Sequence, residues 1–150
     1  MKLPVTPIWL SVLVLLMAGH TAFAMDFVSV NESSATLYDA PSTKAKKLFV
    51  VNRYMPFEAV VVLDDWVKVR DRSGGLYWVE KRVLSNKRYV FALVPLLDVR
   101  IKPDQEAPIA YQVRQQVALE WLDSTGTGWI KVRHRDGDIG YARSIEVWGG

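Results

Sequence analysis

The chain has 150 residues, of which 50% are hydrophobic and 23% charged, with a formal net charge of +3 at pH 7. Basic residues alternate with acidic ones, so the small excess exerts no strong pull toward nucleic acid or anionic lipid. Cysteine is absent, which excludes disulfides, a thiolate nucleophile, cysteine metal ligands and a lipid-modified cysteine together.

Residues 1–24 read as a signal peptide. Lys2 supplies a weak positive start, Ile8 to Ala18 is nearly all apolar, and Ala22-Phe23-Ala24 has the small-x-small spacing that a signal peptidase reads. The apolar run is shorter than the about 20 residues a membrane span needs. Cleavage after Ala24 is the expectation, with an uncleaved N-terminal anchor as the alternative, and export implies a periplasmic or secreted protein. Loss of Lys2 lowers the formal charge from +3 to +2.

From Met25 onward the chain reads as all-β. Lys47 to Val51, Phe57 to Leu63 and Val117 to Leu122 are rich in β-branched and aromatic residues. Turn residues fall at Asn31–Ser34, Asp39–Ser42, Asn52–Pro56, Asp64-Asp65, Ser73–Gly75, Pro103-Asp104, Asp123–Gly128 and Asp136–Asp138. A spacing of about ten residues between turns belongs to small β-barrels.

Within this pattern the segment WVKVRDRSGG, starting at Trp66, returns as WIKVRHRDGD, starting at Trp129, an offset of 63 residues. Leu37 to Pro41 aligns with Val99 to Pro103 at an offset of 62. A period this long marks a duplicated domain rather than a solenoid. The polar interval Ser85-Asn86-Lys87-Arg88 divides the copies, giving domains 25–85 and 86–150. Units of about 60 residues are marginal alone, so the copies are expected to pack against each other. Between Asp123 and Trp129 lie five residues, where the first copy has only Asp65 between Asp64 and Trp66, so a longer turn is expected in the second copy.

Strand alternation sorts the repeated segment. Val67 and Val69, with Ile130 and Val132, face inward; Trp66, Lys68, Arg70 and Arg72, with Trp129, Lys131, Arg133 and Arg135, face outward. With Val79 and Ala142 in the core, Leu76 and Trp78, or Ile139 and Tyr141, share the outer face of the next strand. Each unit thus displays aromatics beside Lys and Arg.

The run W-[VI]-K-V-R-x-R-x-G, followed by a strand with an aromatic before a small or aliphatic residue, resembles the bacterial SH3-like (SH3b) domain. Leu37 to Pro41 resembles that family's opening strand and turn. The family commonly carries Gly-Trp-Val after the turn, whereas this chain has Tyr77-Trp78-Val79 and Gly140-Tyr141-Ala142. The resemblance implies two small SH3-like, partly open barrels of five or six strands, packed in tandem. It also implies an association with the cell wall, through peptidoglycan or its peptides, or a packing and adaptor role.

Catalytic chemistry finds little support. After the signal segment only His134 remains, in a charged strand end where the first copy has Asp71, which suits a solvated residue better than a general base or metal ligand. Asp64-Asp65 and Asp136 with Asp138 fall in turns, where Asp is favoured by side-chain-to-backbone hydrogen bonds. Asp136-Gly137-Asp138 lacks the further oxygen ligands of a calcium loop. No catalytic residue, metal or cofactor is expected.

The candidate ligand-binding residues are Trp66, Lys68, Arg70, Trp78, Trp129, Lys131, Arg133 and Tyr141. Two roles stand open for the tryptophans: packing over a barrel end or the seam between units, or contact with a peptide or sugar. The neighbouring Lys and Arg would pair with carboxylates of an acidic peptide, or simply solvate and protect a sheet edge. The expected function is an exported, non-enzymatic binding module for peptidoglycan or an envelope peptide. The alternative is a structural or adaptor protein docking on an envelope protein. Replacement of Tyr77 by Gly140 and the longer turn before Trp129 favour one unit as the better binder. Neither nucleic acid nor a stable membrane span after signal cleavage is expected.

Overall fold

A computed structural model describes residues 26–149; the expected signal segment 1–24 lies outside them. The chain forms two seven-stranded antiparallel sheets of the same topology. The first contains β1 (Phe27–Val30), β2 (Ser34–Tyr38), β3 (Lys47–Asn52), β4 (Pro56–Val62), β5 (Trp66–Arg70), β6 (Leu76–Glu80) and β7 (Leu84–Ser85). The second contains β8 (Tyr89–Ala92), β9 (Leu96–Arg100), β10 (Ile109–Arg114), β11 (Ala118–Ser124), β12 (Trp129–Arg133), β13 (Ile139–Arg143) and β14 (Val147–Trp148). Spatial order is β3-β2-β6-β5-β4-β1-β7 in one and β10-β9-β13-β12-β11-β8-β14 in the other. The barrels are not closed, because the outermost strands of each sheet do not pair with each other. Seven strands replace the five or six expected, the additional ones including the two-residue β7 and β14.

Each sheet curls around its own core. In the first, Val28, Val30, Ala35, Leu37, Phe57, Val67, Val69 and Val79 are buried together. In the second, Val90, Ala92, Leu97, Val99, Leu119, Ile130, Val132 and Ala142 occupy the equivalent positions. Volume is redistributed rather than copied. Phe57 becomes the smaller Leu119, while Ala35 becomes the larger Leu97, the kind of compensated exchange a packed core tolerates. The expected inward pairs Val67 and Val69, Ile130 and Val132 are all buried.

The repeat offset is 62 residues from β1–β8 through β4–β11 and 63 from β5–β12 onward. β11 extends to Ser124, so Thr125–Gly128 connects it to β12 where Leu63–Asp65 connects β4 to β5. The turn is therefore one residue longer, not four: the sequence match of Asp123 to Asp64 was a coincidence of residue type, and strand register places Asp123 opposite Lys131.

The connection Asn86–Arg88 is short, and the units meet along an aromatic seam. Phe27 meets Trp148 edge to face at 5.5 Å, Trp148 lies 5.6 Å from Phe91, and Tyr54 stacks on Tyr89 at 4.4 Å. The Arg88 guanidinium sits 3.9 Å over Trp121 and 6.0 Å over Phe27. The Ser29 hydroxyl donates to the Lys87 carbonyl at 2.6 Å. At Gly149 the backbone passes so close to the Tyr89 carbonyl and Pro56 that an added Cβ would lie 2.4 and 2.7 Å from them. Such contacts between individually marginal barrels make a fixed tandem.

Candidate functional site

The outer face of β5 and β6 is built by strand alternation. Register pairs Trp66 with Glu80, Lys68 with Trp78 and Arg70 with Leu76. Trp66, Lys68, Arg70 and Trp78 are half-buried rather than fully solvated. Tyr38 on β2 pairs with Trp78 across the neighbouring strand and meets Trp66 edge to face at 5.4 Å. The Lys68 ammonium lies 5.8 Å from the Trp78 ring centroid, within cation–π range. Trp66, Lys68 and Trp78 thus form a continuous outer surface, with the buried Tyr38 ring packed against Trp66.

Arg70 is engaged elsewhere. Its guanidinium donates to both Glu58 carboxylate oxygens at 3.1 and 3.0 Å, so it is held in a local ion pair rather than presented to a ligand. Sequence alternation gives the side of the strand but not the partner Glu58, which comes from β4.

Beside Trp66 lies a groove of about 480 Å³ lined by Thr43, Asp64, Asp65, Trp66, Glu80, Lys81 and Arg82. Its volume falls in the range of small-ligand sites. Arg82 pairs with Glu80. Asp39, Asp71 and Asp104 make the hydrogen bonds expected of turn aspartates, and Asp64 and Asp65 line the groove. The groove therefore offers carboxylates and cations to one ligand. Sequence reading assigned Asp64-Asp65 to turn chemistry; the groove's other lining residues, Thr43 and Glu80 to Arg82, come from segments distant in the chain.

In the second unit the equivalent face carries Trp129 opposite Arg143, Lys131 opposite Tyr141, and Arg133 opposite Ile139. Arg100 pairs with Tyr141 where Tyr38 pairs with Trp78. Trp129, Lys131 and Tyr141 are half-buried and Arg133 is exposed. Arg133 reaches Glu120 at 3.5 Å, and Lys87 reaches the same carboxylate at 3.2 Å. The second face has fewer aromatics and more cations. Tyr38, which makes the difference, stands out in the sequence only as an aromatic before the Asp-Ala-Pro turn.

Gly140 and Tyr77 occupy equivalent positions on the core side of their strands, with Gly140 and Val79 buried. Their difference therefore concerns packing and says nothing about the outer face, contrary to the sequence expectation. Among the described residues no cluster of three or more His, Asp or Glu is placed to hold a metal ion, and no helix is long and apolar enough to cross a membrane.

Two family models match the chain, both described as bacterial SH3 domain, one over residues 31–86 and the other over residues 95–145. No curated protein matches it. Among solved structures, NlpC2 from Trichomonas vaginalis aligns at 13% identity and a TM-score of 0.39, covering 82% of this chain and 47% of that one. An NlpC/P60 family protein from Bacillus cereus aligns at 16% identity and a TM-score of 0.38, covering 81% and 55%. The chain spans about half the length of those proteins. With both family matches falling on the two repeated sheets, the chain belongs to the bacterial SH3 domain family and carries two such domains in tandem.

Proposed function

We propose that this chain is an exported, non-enzymatic binding module, periplasmic or secreted, that recognises a peptide of the cell wall through its first unit. The observation that carries this reading is the Trp66, Lys68 and Trp78 surface, backed by buried Tyr38, beside the groove of Asp64, Asp65, Lys81 and Arg82. Aromatic faces supply apolar contact at low entropic cost, and the adjacent charges orient a peptide bearing both carboxylates and an amine. The family membership and the signal-like residues 1–24 support the envelope setting. The domain limits 25–85 and 86–150 fit this reading.

The test is co-sedimentation of the chain from Met25 with purified, protein-free sacculi. Saturable binding that weakens with added salt is expected, because charge pairs at an exposed surface are screened. A folded protein that stays in the supernatant at all concentrations contradicts wall recognition.

One observation favours a second reading, an adaptor docking on an envelope protein. Phe49 and Val50 are 56% and 69% exposed, and Val60, Val61, Val62 and Leu63 are exposed as well. The second unit carries Tyr111, Gln112, Leu122, Asp123, Ser124 and Thr125 at those positions. Apolar residues exposed in one copy and mostly polar in the other suit a protein contact made by the first unit alone.

A further inference from the structure

A second cavity, of about 520 Å³, opens where the two units meet and is lined by residues of both. Tyr54 enters it from the β3–β4 turn of the first unit and Lys87 from the connection; Tyr89, Glu120, Arg133 and Arg135 come from the second. Its charge follows from a comparison of equivalent corners. In the first unit, among the described residues, Glu58 is matched by Arg70 alone, in a two-bonded pair at 3.0 and 3.1 Å. In the second, the Glu120 carboxylate faces two cations, Lys87 at 3.2 Å and Arg133 at 3.5 Å. Arg133 makes only this one long contact with Glu120, so most of its five donors remain available. His134 replaces Asp71, removing a further negative charge, and Arg135 touches only Asp136, at 3.9 Å. The cavity is net positive even with Asp136 at its rim.

Aromatic surface is supplied at the same place. Tyr54 has φ 69, a left-handed conformation unfavourable for a non-glycine residue. That turn delivers its ring to the stack on Tyr89, with Lys87 5.6 Å from the Tyr89 centroid.

We propose that this cavity is a ligand site for a short acidic peptide, whose carboxylates pair with Lys87, Arg133 and Arg135 while its backbone or side chains lie against Tyr54 and Tyr89. The site is separate from the Trp66 surface and does not rest on wall recognition. The first unit completes it through Tyr54, while the cations come from the connection and the second unit.

Calorimetric titration of the chain with tetraglutamate, against tetraalanine as control, tests this. Saturable binding of tetraglutamate is expected, lowered about ten- to a hundredfold by Lys87→Gln with Arg133→Gln and unchanged by Lys102→Gln, at an exposed lysine outside both sites. Circular dichroism establishes that each variant is folded. No saturable binding, equal binding of tetraalanine, or tetraglutamate binding that survives the double substitution or is lost with Lys102→Gln would overturn the proposal.

Discussion

The two barrels close the same end with a tyrosine from different strands. In the first, Tyr77 on β6 packs edge to face on Phe49 at 5.6 Å, with its hydroxyl near enough to the Asp71 carboxylate to feel its charge. Gly75 leaves room for that hydroxyl, which would lie 2.2 Å from an added Cβ. In the second, Gly140 replaces Tyr77, and Tyr111 on β10 stands where Phe49 does. Its hydroxyl donates to the Asp138 carbonyl at 3.2 Å, and its ring lies 5.9 Å from His134. The paired exchanges, Phe49 with Tyr77 against Tyr111 with Gly140, preserve closure while the individual residues diverge. A barrel end must be filled, but the fold does not specify which strand fills it.

The glycines give the largest expected contrast. At Gly140 an added Cβ would lie 2.6 Å from Val99 and 2.8 Å from the Arg100 carbonyl, so backbone must shift. Gly140→Ala is expected to cost about 1 to 3 kcal/mol in denaturant unfolding. Gly75→Ala meets only the far end of Tyr77 and should cost less. Equal costs would break the idea that the glycines do different work.

The left-handed turns sharpen the comparison at the seam. Tyr54 and Gln116 occupy equivalent positions with φ 69 and 65, but only Tyr54 stacks across the boundary. Gln116→Gly should stabilise by about 1 kcal/mol through relief of strain. Tyr54→Gly relieves the same strain yet loses a stacked pair, itself worth about 0.5 to 1.5 kcal/mol beyond its area, so its net change should be zero or destabilising. Thermal unfolding of the two variants separates these effects; an equal gain in both would deny the seam its Tyr54 contribution.

The smallest effect is one of pH. Burial, aided by the Asp138 charge, pushes the Tyr111 hydroxyl from 10.0 up to about 12. A raised folded value means the contribution is complete below 10.0 and is lost as pH rises toward about 12. Tyr111→Phe should therefore flatten the fall in melting temperature over that interval. A fall of unchanged steepness would remove Tyr111 as its source. Tyr77 is raised in the same direction, by burial and then by Asp71.

The strands and core faces were legible because alternation in Trp66–Arg70 and Trp129–Arg133 leaves little freedom about which side is buried. The duplicated organisation followed from the same segment. Register was less legible: Asp123 matched Asp64 by residue type while the strands align it with Val61, since a turn tolerates insertion where a core strand does not. The candidate site was half visible. Trp66, Lys68 and Trp78 share a face as expected, but Arg70 is held by Glu58, and buried Tyr38 reaches Trp66, and Glu80 to Arg82 reach the groove, from segments distant in sequence. Tyr54 was hidden most completely, because nothing in Arg-Tyr-Met signals a left-handed residue; glycine or asparagine would have.

The most direct test of the functional reading compares Trp66→Ala with Trp129→Ala, both checked for folding, in sedimentation with purified sacculi. Loss of saturable binding with Trp66→Ala and its retention with Trp129→Ala is the expected result, because only Trp66 stands with Tyr38 beside a groove of mixed charge. Retention with Trp66→Ala and loss with Trp129→Ala would contradict it, and would assign recognition to the second unit.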